Sequence, residues 1–80
     1  MNTYYLKKFR KLAKNRYKLI QIKRNLYYVA KFFGGDIIFP ASDDLPYDEA
    51  VKCLNKERRE YILDKVYEKR LEISKIINNI

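Results

Sequence analysis

The sequence predicts an α+β fold in a single small domain, residues 1–80: an N-terminal amphipathic helix, a short antiparallel β meander and a long C-terminal helix. Three observations carry that prediction. The first residues repeat apolar side chains at helical spacing. Residues 17–40 break into short β-branched and aromatic runs divided by turn residues, and a second helical apolar track follows the segment FPASDDLP. A chain of this length buries only about 60% of the surface its unfolded form exposes, so its core is small and its stability leans on few contacts.

The first helix starts at Thr3, a capping residue, and places Tyr5, Phe9, Leu12 and Ala13 at i, i+4, i+7 and i+8, with Leu6 beside them. At 100° per residue, Lys7, Arg10, Lys11 and Lys14 fall on the opposite side. The segments YKLIQIK, LYYVAKFF and IIFP then read as strands, separated by Arg24–Asn25 and by Gly34, Gly35 and Asp36, a hairpin turn between Phe33 and Ile37.

The alternative is an all-α helical hairpin. The heptad spacing continues through Leu19, Ile20, Leu26, Tyr27 and Phe33, so one helix running to Gly34 also fits. The meander is preferred because that helix leaves Ile22, Tyr28, Val29 and Phe32 off the stripe and strands Ile37, Ile38 and Phe39 in a structureless connection.

The last helix begins near Tyr47 and runs to about Asn78, with Pro46 close to its first turn and Asp43, Asp44, Asp48 and Glu49 at its positive end. Its apolar track is Tyr47, Val51, Leu54, Ile62, Val66, Ile73 and Ile76, interrupted by Arg58 and Lys69. The steps of four from Leu54 to Val66 rotate the stripe, so the helix either bends around its neighbour or breaks near Asn55.

Charge is distributed unevenly. Residues 1–35 hold ten Lys and Arg and no acid, +10; residues 36–80 hold eight against ten acids, −2; the chain totals +8. Such asymmetry points to nucleic acid, an anionic membrane or an acidic protein surface. A ridge of Lys7, Arg10, Lys11 and Lys14, continued by Arg16, Lys18, Lys23 and Arg24, suits a phosphate backbone, which needs cations spread along a face. Tyr28 and Phe32 fall on one face of the middle strand, where rings beside lysines stack on unpaired bases, although aromatics in so small a domain are more often core.

Several chemistries are disfavoured. With no histidine and a single cysteine, Cys53, the chain assembles neither an intrachain disulfide, nor the usual zinc sets, nor a Cys–His nucleophile, and Gly34–Gly35 lies outside any phosphate-loop pattern. The expectation is a non-enzymatic protein with no cofactor and no metal. The acids before and within the start of the last helix read as complements of its dipole, and Glu60, Asp64, Glu68 and Glu72 as a solvated ridge or a dock for the basic half of a second copy. The longest apolar run of the first half, Leu26 to Ala30, is far too short to cross a bilayer, so a cytoplasmic location is expected. Phe, Tyr, Met, Ile, Asn and Lys make up half the chain, a signature of AT-rich codons and hence of a low-GC bacterium or its phages.

The order helix, three strands, helix is similar to that of double-stranded RNA-binding domains. Those domains present lysines to phosphate at the start of the final helix, where this chain reads DDLPYDE, so only topology is shared and no family follows. Three expectations for function result: a small module contacting nucleic-acid backbone through the basic ridge, a phage-type inhibitor or adaptor docking on an acidic protein surface around Ile37, Ile38 and Phe39, and an interfacial helix on anionic lipid.

Overall fold

The computed structural model describes residues 3–34 and 38–78. In chain order it contains α1 (Thr3–Arg16), β1 (Tyr17–Lys23), β2 (Leu26–Phe32), β3 (Ile38–Pro40) and α2 (Tyr47–Asn78). The three strands form one antiparallel sheet in the order β1-β2-β3, and the helical-hairpin alternative is thereby set aside. Of the expected glycine turn, Gly34 is described, with φ 69°, a left-handed conformation that costs glycine little. Gly35, Asp36 and Ile37 lie outside the described residues.

Pairing of Tyr17 with Lys31 and of Leu19 with Val29 fixes which side chains share a face. That face carries the core: Tyr17, Val29 and Leu54 are buried together, with Leu19, Ala41, Cys53 and Tyr61 packed around them. The other face carries Lys18, Ile20, Tyr28, Ala30 and Phe32, the last opposite Ile38. Val29 and Ala30, adjacent on the central strand, are both fully buried. Ala30 has Lys18 and Pro40 across the ladder and Tyr28 and Phe32 along the strand, so larger neighbours enclose its single methyl.

Asn25 adopts φ 55° in the β1–β2 turn, a conformation asparagine tolerates better than most residues. Its Oδ1 accepts the Tyr47 amide at 3.3 Å, so the hairpin tip holds the first residue of α2. Beyond β3 the chain keeps bonding the middle strand. The Ala41 amide donates to the Val29 carbonyl at 2.7 Å, the Val29 amide donates to the Ser42 hydroxyl at 2.9 Å, and Tyr27 and Leu45 exchange backbone bonds at 2.8 and 2.7 Å. Pro40 tolerates its place because β3 is an edge strand.

The 32-residue α2 runs unbroken through Asn55. Its rotating stripe matches a change of neighbour: Leu54 packs on the sheet, whereas Lys65, Glu68, Lys69 and Glu72 line a groove with Tyr5, Lys8, Phe9 and Leu12 of α1. Arg58, an interruption in the apolar pattern, is a clasp. Its Nε and Nη2 donate to the Tyr17 carbonyl at 3.0 and 2.8 Å where α1 passes directly into β1. Burial lowers the pKa of its guanidinium, which stays ionised across the physiological range.

Candidate functional site

Phe9 and Ala13 are buried, which fixes how α1 sits and turns the opposite side outward. Lys7, Arg10, Lys11 and Lys14 are all exposed on that outward side. From Lys7 to Lys14 the helical rise amounts to about 10 Å, so the four cations form one compact patch. Among the described residues none of them has an ion pair; the two salt bridges there are, Lys65–Glu68 at 3.5 Å and Lys69–Glu72 at 3.4 Å, lie within α2.

The other basic candidates sit elsewhere. Arg16, half-buried at the end of α1, holds its guanidinium over the rings of Phe33 at 5.0 Å and Tyr61 at 5.7 Å. Lys18 lies on the sheet face away from the core, with its ammonium 5.2 Å from the Phe32 ring centre. Lys23 and Arg24 are exposed at the far end of the hairpin, about 20 Å along β1 from the end of α1. The structure therefore brings four of the eight cations into one patch and distributes the rest over two other places.

No family model, curated protein or solved structure matches this chain. The chemistry of its surfaces is what distinguishes them. Tyr28 and Phe32 share the open sheet face as expected from strand alternation, both half-buried, with Ile22 and Ile38 more exposed at 48% each. Phe39 is exposed on the short edge strand and meets the Phe33 ring edge-on at 5.4 Å, while Lys31 lies over Phe33 at 4.8 Å. A second apolar strip, Leu63, Tyr67 and Leu71, runs along the outward side of α2.

Two shallow depressions flank Leu12. One, of about 250 Å³, is lined by Asn15, Arg16, Lys18, Phe32, Gly34 and Tyr61. The other, of about 230 Å³, includes Lys8, Lys65 and Lys69 together with Glu68 and Glu72. In the latter, desolvation works to lower the pKa of the Lys69 ammonium, but its hydrogen bonds to Glu72 and Tyr5 outweigh this and raise it. Among the described residues no three Cys, Asp or Glu side chains are placed to hold a metal ion. No helix there is long and apolar enough to cross a membrane.

The pocket that Arg16 and Lys18 help to line was not anticipated from sequence, where both read as a continuation of the ridge. The signal was nonetheless present: Arg16 is i+4 from Leu12 and so sits on the inner side of α1.

Proposed function

We propose that this protein is a small, non-enzymatic nucleic-acid-binding module whose α1 presents Lys7, Arg10, Lys11 and Lys14 to the phosphate backbone. One observation carries the reading: these four exposed cations share a helix face with no acidic partner among the described residues, whereas the cations of α2 at Lys65 and Lys69 are neutralised in place. Uncompensated charge of one sign repels itself and is relieved by a polyanion, with release of the polyanion's counterions. Backbone contacts of this kind give affinity and orientation without sequence preference.

Fluorescence anisotropy of labelled single- and double-stranded DNA and RNA, repeated from low to physiological salt, tests the reading. Binding that persists at physiological salt and weakens linearly on a log–log plot is the expected result; absence of binding to every probe overturns it.

The second reading, an inhibitor or adaptor docking on an acidic protein surface, is favoured by a specific feature. Ile38 and Phe39 are 48% and 52% exposed on an edge strand, an apolar centre of the sort a protein interface needs beside a charged rim. An interfacial lipid helix draws less support, because Phe9 and Ala13 are buried in the fold and, among the described residues, the large apolar side chains that α1 leaves exposed are Tyr4 and Leu12.

A further inference from the structure

The depression at the end of α1 differs in kind from the ridge beside it. Two cations, Arg16 and Lys18, and two rings, Phe32 and Tyr61, line it together with the Asn15 amide, and no acid does. Both cations are drawn onto aromatic surfaces, Arg16 5.7 Å from the Tyr61 centroid and Lys18 5.2 Å from that of Phe32. At Gly34 the rim is open, since a side-chain carbon built there would meet nothing within 4 Å. The volume of about 250 Å³ lies below that of pockets for drug-sized ligands and suits one planar group carrying a phosphate. On the helix, Asn15 follows Lys14 directly, so a chain whose phosphates track the ridge reaches the pocket within one turn.

The geometry points to a subsite for one unpaired nucleotide. Its base stacks on the aromatic and guanidinium surfaces, the Asn15 amide bonds the base edge, and Lys18 meets the adjoining phosphate. This inference rests on the nucleic-acid reading and sharpens it: a base held in a duplex cannot enter such a pocket, so the protein selects single strands. Stacking of one base corresponds to a preference of roughly five- to a hundredfold.

The test compares a short oligothymidylate, a short oligouridylate and a duplex of equal length by anisotropy at physiological salt, for the wild type and for Asn15→Ala and Phe32→Leu. The expected result is single-strand preference of at least fivefold, reduced by both variants, with duplex affinity and salt slope unchanged. In parallel, titration of ¹⁵N-labelled wild type with oligothymidylate reads the Gly34 amide and the Asn15 side-chain amide, and needs no variant to fold. Both signals shift if the pocket is occupied. Equal affinity for single strands and duplex, with shifts confined to Lys7 through Lys14, overturns the subsite while leaving the ridge reading intact. Loss of binding to all three probes overturns the ridge reading itself.

Discussion

The two helices lie side by side and differ in whether acids stand among their cations. In α2, Lys65 and Lys69 each face an acid three residues on, and Arg58 is turned onto a backbone carbonyl. In α1, no acid occurs between Thr3 and Arg16, and the outward cations have no ion pair among the described residues. Both helices carry many cations, six in α1 and eight in α2, so the presence of cations does not separate them. Compensation does: a cation with a partner in its own fold contributes to that fold, and a cation without one is available to something else.

The largest expected effect breaks the comparison on the α1 side. A slope of about −0.9 in log K per phosphate contact is worth about fivefold in affinity per contact at 0.15 M salt. Replacing Lys7, Lys11 and Lys14 together with glutamine is expected to weaken backbone binding about a hundredfold and to make the salt slope shallower by about 3, with the urea midpoint unchanged. An unchanged slope would mean that these lysines do not meet phosphate.

Arg58 supplies the converse case, a cation whose removal costs stability and not binding. Arg58→Met keeps the apolar stem and deletes two charge-assisted hydrogen bonds to Tyr17, an expected loss of about 2–3 kcal/mol in urea denaturation. The uncharged counterpart is Ser42→Ala, which leaves the amide of fully buried Val29 without its acceptor and is expected to cost about 1–2 kcal/mol by the same measurement.

The smallest effect belongs to the paired lysines. Glu72→Gln is expected to leave the urea midpoint unchanged at neutral pH, since exposed ion pairs contribute little. Because the folded state raises the Lys69 pKa, what the site contributes is complete below the unfolded value and is lost as pH rises through the folded one. Any difference between wild type and variant in a pH series is therefore expected to narrow on the alkaline limb.

Much of the fold was legible in the sequence because its boundaries are marked by residues with local reasons to be there. Asn25 takes the left-handed turn, Pro46 precedes α2, and apolar alternation sets the faces of β1 and β2. The outward placement of Lys7, Arg10, Lys11 and Lys14 followed from helical periodicity alone. What was not legible depends on partners distant in sequence. Arg58 reads as a defect in an apolar stripe until its acceptor, 41 residues earlier, is known. Ser42 reads as loop composition until its hydroxyl is seen to accept the Val29 amide of the central strand, and Arg16 as one more surface charge until Phe33 and Tyr61 are seen to receive it. Periodicity reports which way a side chain points, and not what waits there.

The bond from the Tyr47 amide to Asn25 spans 22 residues and joins the start of one element to the turn of another. Its consequence is temporal. A long helix nucleates from any favourable turn, but this first turn gains its side-chain acceptor only once the β1–β2 hairpin has closed. Proton exchange at that single amide is therefore expected to respond to opening of a hairpin to which it does not belong as well as to fraying of its own helix end.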